Sequence, residues 1–226
     1  MLNMLSKIRN FRLQPILNLS YGSPSIISYE ILVNLHNNEQ DLEYFFTKLP
    51  LGDFKSLFFF QASLCCHLDG YFHINTPLEL LLDHYISGLT STSNFSNIES
   101  GRLKIEIQNP DQLFSLSPLD LADIITEIRM LQARGVQVWL DDINEAHYTI
   151  AMDLGVDGVK LDKSFFWSVD DLSSVQKKFL NENISVIVEG VESAAHYSKV
   201  AQFDYILVQG FLWPDIHIDL NGRISQ

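Results

Sequence analysis

The stretch Val136-Gln137-Val138-Trp139-Leu140-Asp141, followed by a segment of helical period from Glu145 to Leu154 and then by Gly158-Val159-Lys160-Leu161, decides the fold of this chain. A short β-branched apolar run, a helix and a second short apolar run form a βα unit leading into its neighbour, and parallel strands need such a crossover. The same alternation continues on both sides. Toward the C-terminus come Ser185 to Glu189 and Tyr205 to Gln209; toward the N-terminus lie Leu103 to Ile107, Tyr71 to Asn75, Ile26 to Leu35 and Phe11 to Leu19. Only Tyr21 to Ser25 separates the first two runs, so these are expected to form an antiparallel hairpin. Eight strands with helices between them predict an α/β fold, a closed TIM-like (β/α)8 barrel modified by its antiparallel first strand, in which chemistry gathers at the carboxyl ends of the strands.

Helix signals fill the intervals. Ser117, Pro118 and Asp120 supply an N-cap, a first-turn proline and an early acid ahead of Leu121 to Arg134, and Gly135 stops that helix. Further helices are expected over Asp41 to Leu49, Phe54 to Leu68, Leu78 to Gly88, Glu145 to Leu154, Val169 to Asn181 and Ser193 to Phe203. Thr90 to Ser100, rich in turn formers, reads as a mobile loop. No repeat or linker divides the 226 residues, and a single domain over 1–226 is expected.

Fifteen Lys and Arg against 28 Asp and Glu give a net charge of −13, a surface that repels nucleic-acid phosphates unless its cations cluster, and they do not. Direct nucleic-acid binding is therefore not expected, and a protein partner suits the surface better. Cys65 and Cys66 are adjacent, a spacing that disfavours an ordinary disulfide and fits a reducing cytoplasm. No signal-like apolar segment or membrane-length run is present, so neither secretion nor a membrane span is expected.

Seven strands carry a polar residue near the end: Glu30, Asn75, Glu106, Asp141 with Asp142, Lys160, Glu189 and Gln209. Each has a structural reading of its own. Glu30 or Glu106 fits a solvated strand position, Asp141 or Asp142 a helix cap, Lys160 a partner for Asp162 or a barrel acid, and Asn75 a turn. Together they indicate more, because several carboxylates converging inside a barrel need a compensating cation. Oxygen donors without a cysteine or histidine cluster favour Mg²⁺ or Mn²⁺. The seven histidines, among them His73, His147 and His196, lack metal spacing and are given no role.

With their surroundings these residues resemble the EAL domain, whose active members hydrolyse cyclic-di-GMP to the linear dinucleotide. The likeness rests on Gln14-Pro15-Ile16, Tyr29-Glu30-Ile31-Leu32, Leu140-Asp141-Asp142, Val159-Lys160-Leu161-Asp162-Lys163-Ser164-Phe165, Val188-Glu189-Gly190-Val191-Glu192-Ser193 and Val208-Gln209-Gly210-Phe211-Leu212, in the family's order. The resemblance implies a barrel of EAL type. It implies metal binding by Glu30, Asn75, Glu106, Asp141, Asp142 and Glu189, with Lys160 and Glu189 acting on the attacking water. It implies substrate contacts by Gln14, Glu192 and Gln209.

Other positions depart from the family. Asn34 stands where an arginine pairs with substrate phosphate, and an amide cannot make that charged, bidentate contact. Gln108-Asn109 replaces Thr-Glu, the glutamate that holds the loop after strand five. That loop reads Asp142-Ile143-Asn144-Glu145-Ala146 and lacks both usual glycines, Glu145 adds negative charge where an anionic substrate would enter, and Trp213-Pro214 changes the last loop. These departures, with the Gly210 to Pro214 ending, resemble the short degenerate EAL proteins of enterobacteria that bind the flagellar master transcription activator. They imply regulation of motility, virulence or biofilm by protein binding, with cyclic-di-GMP bound weakly or not at all. The alternative is an active Mg²⁺- or Mn²⁺-dependent phosphodiesterase. An ordered path from Asp141 to His147 that brings both aspartates to one metal favours catalysis; a displaced loop favours regulation.

Overall fold

The computed structural model describes residues 2–19, 23–36, 42–91, 101–203 and 206–224. After α1 (Leu2–Leu5), β1 (Ile8–Asn18) and β2 (Ser25–Leu35) form the expected antiparallel pair, with Gln14 opposite Glu30 and Asn10 opposite Asn34. From β2 each strand pairs parallel with the next: β3 (Phe72–Thr76), β4 (Leu103–Ile107), β5 (Gln137–Ile143), β6 (Gly158–Leu161), β7 (Ser185–Val188) and β8 (Ile206–Val208). β1 lies antiparallel between β2 and β8 and so closes an eight-stranded barrel. A ninth strand, β9 (Ile216–Ile218), was not foreseen; it adds to Phe11–Leu13 of β1 outside the ring.

The helices are α2 (Leu42–Thr47), α3 (Leu51–Cys65), α4 (Leu78–Leu82), α5 (Tyr85–Thr90), α6 (Pro118–Gln132), α7 (Tyr148–Leu154), α8 (Lys163–Ser168), α9 (Leu172–Leu180) and α10 (Ala194–Val200). The reading of α6 holds: Ser117 Oγ accepts from Asp120 N–H at 3.1 Å, and Gly135 has a left-handed φ of 78°.

Two expected helices are broken. Leu78 to Gly88 splits at His84, which adopts φ 49°, because buried Glu127 on α6 takes His84 Nδ1 at 2.9 Å and the Ser87 N–H at 3.0 Å. Val169 to Asn181 begins only at Leu172, where Asp171 accepts from Ser174 N–H. Upstream of it Asp162 caps α8, and Lys199 donates to the carbonyls of Phe166 and Val169 at that helix's end. The loop expected over Thr90 to Ser100 lies, from residue 92 on, outside the described residues, as do Asp41 and Tyr205.

The two-residue period of the strands sorts side chains between barrel shell and interior. Ile74, Ile105, Val138, Leu140, Val159 and Val188 join the apolar layer under the helices, while Ile16, Trp139 and Ile187 form a separate buried cluster. Trp139 fits only because its neighbour on β6 is glycine: a Cβ at Gly158 would meet the indole ring carbons at 2.4 Å. Above that layer the inward positions turn polar.

Candidate acidic site at the barrel mouth

Lys160, from the short strand β6, is 1% exposed, and its ammonium stands at the centre of four carboxylates from four different strands or strand ends. Nζ lies 3.0 Å from Glu30 Oε2, 3.0 Å from Glu106 Oε2, 3.1 Å from Asp141 Oδ1 and 2.8 Å from Glu189 Oε1. Glu30 is held further by Asn75 Nδ2 and Gln209 Nε2, each donating at 2.5 Å, and Gln209 also donates to Gln14 Oε1 at 2.7 Å. Nine of the ten residues singled out in the sequence thus lie at one mouth, counting Asp142 below. The tenth, Glu192, is exposed and is not among the carboxylates that meet Lys160, while its backbone N–H reaches His196 Nδ1 at 3.3 Å.

Asp142 is brought in by a fault in the strand. Side chains alternate along a regular strand, so Asp141 and Asp142 would face opposite sides. The β5–β6 register slips between Leu140 and Ile143, and Asp142 takes a left-handed φ of 52°, a conformation aspartate tolerates better than most residues. Carboxylate oxygens of Asp141, Asp142 and Glu189 consequently lie within 4.8 Å of one another.

Charge explains the behaviour of the ring. Burial works against the Lys160 ammonium, but Asp141, Glu106, Glu189 and Glu30 outweigh it and lift its pKa well above the ordinary lysine value. Burial is also the largest influence on each acid, and it pushes Glu106 and Glu189 well up and Asp141 to about 6. Glu30 alone moves down: burial is there outweighed by Lys160 together with the hydrogen bonds from Gln209, Lys160 and Asn75. The acids sharing one ammonium therefore shift in opposite directions: neighbouring carboxylates add to the rise at Glu106, Asp141 and Glu189, whereas Glu30 receives three hydrogen-bond donors.

The ring suits a hard cation. One ammonium faces four carboxylates, so positive charge is what the arrangement lacks. Buried oxygens Asn75 Oδ1 and Gln209 Oε1 have no hydrogen-bond partner, and Asp141 Oδ1 meets Lys160 at ion-pair distance without hydrogen-bond geometry. Carboxylate and amide oxygens, with no thiolate among them, match Mg²⁺ or Mn²⁺.

One supporting residue was missed. His73, on β3 two residues before Asn75 and fully buried, contacts Glu106 Oε1 through Nδ1 at 2.7 Å and Ser28 Oγ through Nε2 at 3.2 Å. Burial, then Lys104 and Lys160, hold its pKa well below the usual value. The neutral ring donates from Nδ1 to Glu106 and accepts from the Ser28 hydroxyl, a hydrogen-bonded orientation of a site carboxylate and not an ion pair. Its place on the inward face of β3 was the available signal.

The loop after β5 follows an ordered path. Asn144 Oδ1 accepts from Ala146 N–H at 3.0 Å, and His147 Nδ1 accepts from Asn144 N–H at 3.1 Å, closing a 3₁₀ turn at Glu145–His147. His147 Nε2 then reaches Asp111 Oδ1 at 3.0 Å and its ring stacks on Phe114. These contacts tie the loop to the segment after β4, where Asn109 supplies no side-chain cap. Glu145 is exposed and lines a surface cleft with Tyr148, Val175 and Lys178, outside the carboxylate ring. Asn34 donates to Asn10 Oδ1 at 2.8 Å.

An eight-stranded barrel closed by an antiparallel first strand, with a lysine-centred carboxylate ring at the carboxyl ends of its parallel strands, defines a barrel with a cation-suited acidic site. Residues 5–214 match the EAL domain, and the chain belongs to that family. Among solved structures it is similar to BlrP1 of Klebsiella pneumoniae in a calcium and cyclic-di-GMP complex, at 17% identity and a TM-score of 0.75, covering 96% of this chain and 57% of that one. The FimX EAL domain of Pseudomonas aeruginosa bound to cyclic-di-GMP matches at 15% identity and TM-score 0.74, covering 95% and 93%. The PaMucR phosphodiesterase in complex with cyclic-di-GMP matches at 20% identity and TM-score 0.67, covering 96% of each. The chain thus spans little more than half of the Klebsiella protein. No curated protein matches it by sequence. Among the described residues no helix is long and apolar enough to cross a membrane.

Proposed function

We propose that this chain is a divalent-cation-dependent phosphodiesterase that opens cyclic-di-GMP to the linear dinucleotide. The observation that carries the reading is the strand fault at Asp142, which gathers Asp141, Asp142 and Glu189 within 4.8 Å along an ordered loop. Glu30, Asn75, Glu106, Asp141, Asp142 and Glu189 would hold Mg²⁺ or Mn²⁺. When bound, such ions acidify a water and offset the charge that grows on a phosphate under attack.

The chain's own groups do the positioning. Lys160, held as an ammonium by four acids, brings fixed positive charge to the place where the attacking water would sit, while Glu189 is the most exposed of those four acids at 19% and is placed to accept the water's proton. Gln209 and Asn75 fix the Glu30 carboxylate, Gln14 holds Gln209, and His73 fixes Glu106. Glu192, exposed at the rim, is assigned to substrate contact on the resemblance alone. The cyclic-di-GMP complexes of the similar FimX and PaMucR domains support the substrate class.

A second reading has its own observation. Asn34 is paired with Asn10 and offers no cation to a phosphate, and a net charge of −13 suits a protein partner. On this reading the chain is a degenerate regulator that binds the flagellar master transcription activator in motility, virulence and biofilm control. Incubation with cyclic-di-GMP and Mn²⁺, with Glu30→Ala run in parallel, separates the two. Linear dinucleotide formed by the parent and lost in the variant supports hydrolysis. No turnover and no nucleotide binding, with capture of the activator by the purified chain, supports regulation.

A further inference from the structure

The resemblance places a phosphate-pairing arginine at position 34, where this chain has an asparagine already engaged with Asn10. The register of β1 against β2 offers another cation. Asn10 lies opposite Asn34, Arg12 opposite Leu32 and Gln14 opposite Glu30, with no register slip between Asn10 and Ile16. Residues two apart share a face, so Arg12 is on the same inward face as Gln14, about 7 Å further toward the mouth. It stands one layer nearer to Glu30 than position 34 does.

The arginine is incompletely used where it stands. Nη1 donates to Asp215 Oδ2 at 3.1 Å, whereas the buried Nε has no partner and neither does Asp215 Oδ1. The contact is a single hydrogen bond from a fork built for two. Arg12 is still 22% exposed, and it lines a cavity of about 170 Å³ whose wall is mostly apolar side chains of β2, α2, α3 and α4 but which Asn75 of the carboxylate site and Gln108 also border. Asp215 is set against it by the altered last loop and by β9, whose pairing places His217 opposite Arg12.

We propose that Arg12 is the residue of this chain that pairs with a phosphate of the cyclic dinucleotide, and that Asp215 holds its guanidinium at the mouth until the phosphate takes Asp215's place. The inference rests on the cyclic-di-GMP reading above. It makes Arg12 a determinant of substrate affinity that compensates for Asn34.

The test is calorimetric binding of cyclic-di-GMP in Ca²⁺ by the parent chain, Arg12→Ala, Arg12→Lys and Asp215→Asn, each checked for unchanged thermal unfolding. Loss of a charge-assisted bidentate contact predicts about 10- to 100-fold weaker binding for Arg12→Ala. Arg12→Lys falls between, since it keeps the charge and loses the fork. Asp215→Asn binds more tightly than the parent because the competing charge is gone, and it reports even where Arg12→Ala folds poorly. Binding by Arg12→Lys and Asp215→Asn within twofold of a parent that does bind overturns the role of Arg12 and leaves the cyclic-di-GMP reading intact. A parent that binds no cyclic-di-GMP overturns both.

Discussion

Lys160 Nζ stands 2.8 Å from Glu189 Oε1, the shortest of the four carboxylate contacts this ammonium makes. The lysine is what allows Glu30, Glu106 and Asp141 to be buried together. Lys160→Met removes the only cation that touches the ring among the described residues, and stranding buried charge costs about 3–5 kcal/mol. In a domain of this size that corresponds to a fall in Tm of roughly 10 °C. Saturating Mn²⁺ should restore more stability to the variant than it adds to the parent, because a cation supplies the missing charge. Thermal unfolding in EDTA and in Mn²⁺ checks this; equal Mn²⁺ stabilisation of both proteins contradicts it.

Asp142 carries a conflict between backbone and chemistry. Its φ of 52° is easy for glycine and mildly strained for aspartate. Asp142→Gly should therefore leave stability unchanged or raise it by up to about 1 kcal/mol, while removing a donor and lowering phosphodiesterase turnover by more than about 100-fold. Urea unfolding and a dinucleotide hydrolysis assay together make the check. A variant that is destabilised by more than it loses in activity would place Asp142 in the fold and not in the site.

The outline of the barrel was legible because local pattern and global fold agree there. Val138 and Leu140 face the helices while Trp139 and Asp141 face inward, and β2 to β8 each carry a polar residue near the carboxyl end or just beyond it. What could not be read came from distant contacts. Nothing near His84 announces a helix break, which depends on Glu127 some forty residues away. His73 has no spacing motif, and its role appears only when β3 and β4 set it beside Glu106. The sequence also hid how the loop after β5 is held, since the tie from His147 runs to Asp111, thirty-six residues earlier. Local departures at Asn109 and at the missing glycines were visible; the replacement tie was not.

His73 should matter more to activity than to fold. His73→Leu keeps an apolar body of similar reach but leaves Glu106 Oε1 and Ser28 Oγ without their partner. The expected cost is about 1–3 kcal/mol in stability from the unpaired groups, with a 10- to 100-fold loss in Mn²⁺ affinity or turnover. His73→Gln, which can still donate to Glu106, should recover part of the loss. Equal losses for the two variants would show that packing against Trp139, 5.2 Å away, is the residue's whole contribution.

The two cysteines should label at very different rates. Cys65 is buried in α3 and burial pushes its thiol pKa far above the reactive range, whereas neighbouring Cys66 is exposed and its thiol is raised less, burial again being the main cause. The thiolate is the reactive form, so an aromatic disulfide reagent at pH 8 should consume one equivalent quickly and the second only as the chain unfolds. In urea the slow equivalent should follow the global transition. Two fast equivalents in buffer would mean that the end of α3 opens on its own.

Gly158 tests the interior packing most directly. An added Cβ would sit 2.4 Å from two indole carbons of Trp139 and 2.6 Å from a third. The obstacle is a rigid ring pinned between the Lys104 ammonium, 5.4 Å from its centroid, and His73, so neither side can swing away cheaply. Overpacking of this kind costs about 1–3 kcal/mol or more, and Gly158→Ala should lower the unfolding free energy by that amount, read as a lower urea midpoint at an unchanged slope. Trp139→Phe removes the carbons that would clash and leaves a void where they were. Gly158→Ala placed in that background should cost far less than it does alone, giving a coupling of at least about 1 kcal/mol between the two positions. Additive effects would mean that glycine is needed at 158 for its backbone and not for the space it leaves to Trp139.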